Sequence, residues 1–263
     1  MKTRKLILLT RNLAACSVFL FFAQCGPEEP ETNGKINTTI TLFSNAALQG
    51  KITVNQAFLN VSQVAVNGTA PTQDVLTFSR KLSGDDAWLS LLNKDQKPLE
   101  IVGKINDYDP FNVTLTLTSD TSTPVITEDE SGISANLDEY LPTARPSLLL
   151  VGKFDNRGRS MPLIIAVNDV FPLTTAGVQY GSPQVRVDLE NRLDIQISTT
   201  HIFSGVTTTA LENAQRVNYQ GQEAIFIHPL LNSGIYTSIE KSLEEASSSV
   251  IAKITVTKSR QDK

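Results

Sequence analysis

Apolar and polar residues alternate with a period of two along most of the chain, which predicts half-buried β-strands. The clearest alternation, rich in Val, Ile and Thr, lies at residues 36–43, 51–66 and 111–118. Residues 185–197 alternate in the same way on both sides of a predicted turn at 190–192. Because frequent turn sequences separate these strands and no strand–helix–strand rhythm occurs, we expect a mainly β fold, specifically an antiparallel β-sandwich.

Other segments predict a hairpin and some helical structure. The apolar runs "SLLLVGKF" and "PLIIAV" flank the turn sequence "DNRGRSM", which predicts a β-hairpin, and "AIFIHP" predicts a further short strand. "GDDAWLSLLN", which holds the single tryptophan, is either one helical turn or a short strand. In residues 232–254, apolar side chains recur at helical spacing and acidic ones lie on the opposite face. We therefore expect a C-terminal α-helix packed on the sheet.

The first 24 residues have the pattern of an export signal. Four basic residues, all before position 12, precede an apolar run at residues 13–23. This run is shorter than the roughly 20 apolar residues that a helix needs to span a bilayer. The alternative, a buried N-terminal helix, would place cations beside a segment that is apolar on all sides.

The chain holds two cysteines, Cys16 and Cys25, and the segment "FAQC" that ends at Cys25 resembles the lipobox of bacterial lipoprotein signal peptides. The resemblance implies that the Cys25 thiol is diacylglycerated, that the leader is cut before Cys25, and that the new amino group is acylated. The alternative, "LAAC" ending at Cys16, would leave the apolar run "SVFLFFAQ" at the start of the mature chain. Several acyl chains hold a protein firmly on a membrane, so a permanent lipid anchor at Cys25 is implied.

The residues after Cys25 suggest where the anchored protein is sorted. Gly26 resembles the residue found in lipoproteins that are sorted to the outer membrane, and Glu28, Glu29 and Glu31 resemble an acidic patch that directs some of them to the cell surface. We therefore expect an outer-membrane lipoprotein of a diderm bacterium, facing either the periplasm or the outside.

These observations give an expected domain organisation. A signal peptide at 1–24 precedes a flexible acidic tether at 25–35, a β-sandwich domain at 36–257 and a disordered tail at 258–263. The body only loosely resembles the β-sandwich domains of unknown function found on envelope lipoproteins. The irregular segment 119–146, rich in Ser, Thr, acids and Pro, is an alternative boundary between two halves of the domain.

The charge balance argues against nucleic acid as a partner. The whole chain has 23 basic and 27 acidic residues and a formal charge of −4. All four basic residues of the leader precede Cys25 and no acidic residue does, so the mature chain has 19 basic and 27 acidic residues, or −8. Binding to nucleic acid needs clustered Lys and Arg that neutralise phosphates. Since an anionic membrane surface would also repel this chain, membrane contact is expected through the lipid anchor.

Few residues of the body suit catalysis or metal binding. No cysteine follows Cys25, which excludes thiolate chemistry and internal disulfides from the body. His201 and His228 belong to no metal-ligand motif and are interpreted as ordinary strand-end histidines. In "NDYDPFN", Asp107 and Asp109 are candidate calcium ligands, although such residues also form turns for local reasons. Because no serine-nucleophile, phosphate-loop or dinucleotide motif occurs, we predict no catalytic residue and no cofactor.

The expected function is a non-enzymatic binding or structural role for a lipid-anchored cell-envelope protein, with a glycan or an envelope protein as its partner. One alternative is a lipid-anchored glycan hydrolase that uses loop acids such as Asp107 or Asp109. Another alternative is a surface adhesin or assembly subunit, for which an unpaired edge strand would be the sign.

Overall fold

The structure is a computed structural model. It describes residues 33–69, 75–92, 98–104, 109–118, 146–169, 172–174, 189–219, 221–245 and 251–260. The contacts divide the chain into Met1–Thr32 and Asn33–Lys263, and every described residue belongs to the second unit.

The described residues form fourteen strands, three α-helices and one 3-10 helix. The strands are β1 (Asn33–Leu42), β2 (Ala46–Ala47), β3 (Ile52–Thr69), β4 (Val75–Lys81), β5 (Trp88–Ser90), β6 (Leu99–Lys104), β7 (Asp109–Leu117), β8 (Leu148–Asn156), β9 (Arg159–Val167), β10 (Pro172–Thr174), β11 (Leu189–Ile197), β12 (Arg216–Tyr219), β13 (Gln222–Ile227) and β14 (Ile251–Arg260). The α-helices are α1 (Thr199–Ile202), α2 (Thr208–Glu212) and α3 (Ser233–Glu244), and the 3-10 helix spans Gly84–Ala87.

The strands form two mixed sheets. The ten-stranded sheet has the order β10-β7-β3-β8-β9-β13-β12, and β2, β4 and β5 also pair with the long strand β3. The four-stranded sheet has the order β14-β11-β1-β6. The expected mainly β class is confirmed, but a purely antiparallel arrangement is wrong, because β1 pairs with β11 and β9 pairs with β13 in parallel. Parallel partners need a long connection, and each of these pairs is far apart in sequence, so local turn signals did not reveal them.

The larger of two apolar clusters draws buried side chains from both sheets. Ile40 and Ile195 of the four-stranded sheet belong to the same cluster as Leu59 and Leu150 of the ten-stranded sheet. A second, smaller cluster lies on the opposite face of β8, β9 and β13 and includes Leu149. Because β8 and β9 are covered on both faces, their sequences are continuously apolar instead of alternating.

The predicted hairpin around "DNRGRSM" is confirmed. Strands β8 and β9 pair in antiparallel register from Leu148↔Val167 to Asn156↔Arg159. The two residues between the strands, Arg157 and Gly158, have φ of 54° and 85°. Two successive positive φ values are typical of the hairpin turn whose twist matches that of the paired strands.

The predicted turn at 190–192 is wrong. These residues lie inside β11, where Asn191 pairs with Ile36 and Arg192 with Asn37 of the parallel strand β1. The polar residues in "LENRLD" suggested a break in the strand. However, β11 lies between β1 and β14, and pairing with these two strands supplies hydrogen-bond partners for the backbone of this segment.

The predicted C-terminal helix is present but shorter than expected. Helix α3 ends at Glu244, and Ile251–Arg260 is strand β14, which pairs antiparallel with β11. Residues 258–260, expected in a disordered tail, are therefore the last residues of that strand. The apolar residues after Glu244 fit both a helical and a strand period, and pairing with β11 selects the strand.

Two other segments have different outcomes: one contains both of the structures considered for it, and the other lies mostly outside the described residues. "GDDAWLSLLN" forms both candidate structures in succession, the 3-10 helix and then β5. Most of the segment considered as a boundary, residues 119–145, lies outside the described residues. Strands β7 and β8, on either side of it, both pair with β3.

Candidate functional site

Several residues singled out in the sequence lie where the structure gives no description. Cys16, Cys25 and the rest of the leader are outside the described residues, as is Asp107. Asp109 begins β7 and pairs with Thr69, and nothing is described of its side chain. Among the described residues no group of three His, Cys, Asp or Glu side chains is placed to hold a metal ion. The anchor at Cys25 and the calcium candidates therefore stay predictions.

The two histidines have separate partners. His201 lies within α1, not at a strand end, and its Nε2 is 3.1 Å from the backbone oxygen of Ser242 in α3. His228 directly follows β13, its Nε2 is 3.1 Å from Nδ2 of Asn168, and its ring stacks on Phe226. Partial burial lowers the pKa of His228, which therefore favours its neutral form.

An open groove of about 720 Å³ lies beside the first turns of α3. We call it the α3 groove. Its lining comes from the α1–α2 connection, from α2 and the turn after it, from the β13–α3 turn, and from α3 as far as Ser238. The described lining residues are uncharged and combine amide and hydroxyl side chains with small apolar ones. The groove therefore offers hydrogen-bonding groups without a net charge.

Asn232, which lines the α3 groove, connects three segments of the chain. It occupies the left-handed backbone region, with φ 58° and ψ 40°, immediately before α3. Its Oδ1 accepts the Gln215 N–H at 2.7 Å, and its Nδ2 donates to the backbone oxygens of Gln215 and Phe226 at 3.1 and 2.8 Å. Asn tolerates this backbone conformation better than most residues. One side chain thus joins the turn after α2, the end of β13 and the start of α3.

Leu230 forms an exposed apolar rim of the α3 groove. His228 and Leu231 exchange two backbone hydrogen bonds of 2.9 Å, which close a tight turn with Leu230 near its tip. As a result, 86% of the Leu230 surface is exposed, more than that of any other large apolar residue described. Leu230 therefore adds one apolar contact to the edge of a mostly polar concave surface.

A second polar group, which we call the α3 polar cluster, joins α3 to the end of β9. It consists of Asn168, Asp169, His228, Tyr236 and Glu240. The Tyr236 hydroxyl donates a hydrogen bond to Oδ2 of Asp169 and accepts the Asn168 N–H at 3.4 Å. Burial of the ring, followed by the bond to Asp169, raises the pKa of Tyr236, so the hydroxyl remains a donor across the physiological range.

Glu240 lies one helical turn after Tyr236 in α3. Hydrogen bonding to the Asp169 side chain, then desolvation, then the negative charges of Asp169 and Glu244 raise the pKa of Glu240 to about 7. The sequence placed Glu240 on the exposed face of the helix, so the cluster was missed. The Tyr–Glu spacing of four residues puts both side chains on one helix face, but only the fold brings Asp169 to them.

Comparisons of this chain with protein-family models, with curated proteins and with solved structures gave no match. Within the described part of the chain, no helix has the length and apolar character needed to cross a membrane.

Proposed function

We propose that this chain is a lipid-anchored cell-envelope protein whose β domain binds an uncharged ligand in the α3 groove. The observation that carries the binding role is the groove itself, an open concavity of about 720 Å³ with an uncharged polar lining and an apolar rim. Ligand sites are typically concave and combine apolar contacts with a few polar groups that orient the ligand. We also propose that the two sheets, which share one apolar core, pack as a sandwich.

The proposed anchor is the acylated Cys25. The support is the basic leader, its apolar run, the "FAQC" segment and the polar, Pro- and Gly-containing tether that follows. Each buried methylene contributes about 0.8 kcal/mol, so several acyl chains hold the domain permanently. The proposed location is the outer membrane of a diderm bacterium.

The proposed ligand is a neutral glycan. A sugar presents many hydroxyl groups, which match the amide and hydroxyl groups of Thr207, Asn213 and Gln215 in the lining. It also has apolar C–H faces, which match the exposed Leu230 at the rim. A strongly charged ligand would leave its charge unpaired here, because the described lining supplies no opposite charge.

The alternatives have different support. For a hydrolase, the described lining of the α3 groove supplies no carboxyl group, so the groove offers no pair of acids to flank a glycosidic bond. For an adhesin or assembly subunit, β14 and β12 end their sheets and each pairs with one neighbour among the described strands. Those edges favour strand addition as a second candidate function.

A glycan array probed with the purified full-length chain tests the proposed ligand. We expect binding to uncharged glycans, and we expect Leu230→Ser and Asn213→Ala to weaken it about tenfold, which corresponds to 1.4 kcal/mol. Phe43→Ser is the matched control, because Phe43 is an exposed apolar residue (58%) outside the groove lining. No binding to any neutral glycan, or equal weakening by Phe43→Ser, would contradict the proposal.

Metabolic labelling of cells with a tagged fatty acid tests the anchor. Wild type and Cys16→Ala should carry the label, and Cys25→Ala should lose it. Loss of label in Cys16→Ala alone would move the anchor to the other cysteine.

A further inference from the structure

We propose that His228 is a positioning residue for the α3 groove: while its ring is neutral, Nδ1 holds the backbone of Leu230 and keeps the apolar rim of the groove in place. The inference rests on the proposed function, because it assigns a control to that ligand site. His228 and Leu230 belong to one tight turn, which His228 and Leu231 close with two backbone hydrogen bonds of 2.9 Å. Inside that turn, the Leu230 N–H donates to Nδ1 of His228 at 3.4 Å.

The position of the ring proton follows from the two contacts of the His228 ring. A neutral imidazole has one N–H, so an Nδ1 that accepts the Leu230 N–H leaves the hydrogen on Nε2. Nε2 lies 3.1 Å from the side-chain amide of Asn168. Both ring contacts are hydrogen bonds only if Oδ1 of Asn168, and not Nδ2, faces Nε2, and the two ends of an amide are assigned from such networks. The Nε2–H of His228 therefore donates to Asn168.

Packing holds the His228 ring where both contacts form. The ring stacks on Phe226 of β13, with the ring planes 6° apart and the centroids 5.8 Å apart. Asn168 is held by its backbone N–H, which donates to the Tyr236 hydroxyl at 3.4 Å. Tyr236 in turn is buried in the core of the domain. The ring is therefore tied to β13 by stacking and, through Asn168, to α3.

Protonation of His228 removes this support from Leu230. It adds a hydrogen to Nδ1, which then faces the Leu230 N–H as a second donor and can no longer accept it. Because 86% of the Leu230 surface is exposed, little packing holds the residue in place without that bond. The rim of the α3 groove therefore loses its fixed position as the ring becomes charged, and ligand contact at the rim weakens.

The titratable groups around the ring are engaged elsewhere or titrate separately. On the neighbouring elements they are Arg159 of β9, Asp169 after β9, Glu223 of β13, Arg216 of β12, and Tyr236 and Glu240 of α3. Arg159 pairs with Glu223 at 3.2 Å, and Tyr236 donates to Asp169. Arg216 donates to two backbone oxygens at the end of α2. Burial lowers the pKa of His228, so its neutral form dominates near neutral pH. Glu240, with its pKa raised to about 7, also titrates in this range and needs a control.

Nitrogen NMR of the full-length chain tests the positioning without any ligand, with the His228 ring signals assigned as those that His228→Asn removes. We expect the Nε2–H tautomer of the neutral ring and a midpoint below the ordinary histidine value of about 6.5. The Leu230 amide shift should titrate with the same midpoint. In His228→Asn, Oδ1 takes the place of Nδ1 and accepts at every pH, so the Leu230 signal should not titrate. His201→Asn, the matched control in α1, should leave the Leu230 titration unchanged.

An Nδ1–H tautomer, or a Leu230 amide that does not follow the His228 titration, would overturn the proposal. Should His228→Asn not fold, His228→Gln assigns the ring signals, and the wild-type tautomer and the Leu230 titration decide alone.

The glycan array, run at about pH 8 and again about one pH unit below the measured His228 midpoint, tests the control of the ligand site. We expect uncharged glycans to bind the wild type about tenfold more weakly at the lower pH, which corresponds to 1.4 kcal/mol, and His228→Asn to bind equally at both. Glu240 titrates in both proteins, so it cannot produce a difference between them. Equal pH dependence in the two proteins would overturn the control by His228. If no neutral glycan binds at either pH, the proposed ligand is wrong, and the NMR results still decide the positioning of Leu230.

Discussion

Gly152 in β8 lies where the backbone of β3 approaches so closely that only glycine fits. It pairs with Val54 of the long strand β3, at a point where the β3–β8 register shifts by one residue. A Cβ atom added to Gly152 would lie 2.1 Å from the backbone oxygen of Thr53 and 2.9 Å from the Cα of Val54. Only a residue without a side chain fits this close approach of two backbones.

The expected cost of Gly152→Ala follows from those distances. An oxygen and a carbon that are not bonded need about 1 Å more separation than 2.1 Å, and neither side can yield, because both clashing groups are backbone in paired strands. Overpacking of a well-packed site typically costs 1–3 kcal/mol, so we expect the upper end, about 3 kcal/mol. For a domain of this size, about 3 kcal/mol lowers the melting temperature by roughly 6–12 °C.

Thermal and urea denaturation of the full-length chain measures this effect against two matched controls. Gly158→Ala and Gly221→Ala place a Cβ at positive φ, 85° and 77°, with no atom within 4 Å. They carry the backbone cost of about 1–2 kcal/mol but no clash. If Gly152→Ala were no more destabilising than the controls, the close approach of β3 and β8 would be refuted.

Other substitutions and conditions test separate features. Asn232→Ala should lower the free energy of unfolding by about 3 kcal/mol, because it removes three side-chain hydrogen bonds and a residue that favours the left-handed backbone conformation. Asn232→Gly can still adopt that conformation, so its loss should be about 1 kcal/mol smaller. Equal losses for the two variants in urea denaturation would contradict this prediction. Arg157→Asn should raise the free energy of unfolding by about 0.5 kcal/mol, because Asn suits the first turn position and the ion pair that Arg157 forms is exposed; a fall in the urea midpoint would argue against it. The folded state raises the pKa of Glu240 to about 7, so the stabilisation by its protonated form is complete below the ordinary glutamate pKa and is lost as the pH rises through 7. The melting temperature of Glu240→Gln relative to wild type should therefore increase from pH 4.5 to pH 8. A melting-temperature difference that does not vary with pH would refute the raised pKa. If Asp107 and Asp109 bind calcium, the ion should raise the melting temperature of the wild type but not of the double Asn variant, and the absence of a calcium-dependent shift in the wild type would dispose of that site.

The sequence by itself determined the class of fold and several of its elements. Period-two alternation predicted β1, β3 and β7, and the "DNRGRSM" turn predicted the β8–β9 hairpin. These features are local: a strand shows which face it buries, and a tight turn needs particular residues at its two central positions. The leader and Cys25 were also predicted from local sequence, because a targeting signal is recognised as a linear segment.

The tertiary structure alone decided which strands become neighbours. The parallel pairs β1–β11 and β9–β13 join segments that no tight turn connects, so the local sequence of neither segment identifies the strand with which it pairs. Pairing of β11 with β1 and β14 keeps the polar residues 190–192 in a strand. Pairing with β11 likewise makes residues 251–260 a strand instead of a continuation of the helix. The candidate sites depend on the same long-range placement. Asn232 joins three segments, and Tyr236 meets Asp169 across 67 positions, because backbone packing, not sequence proximity, sets those distances.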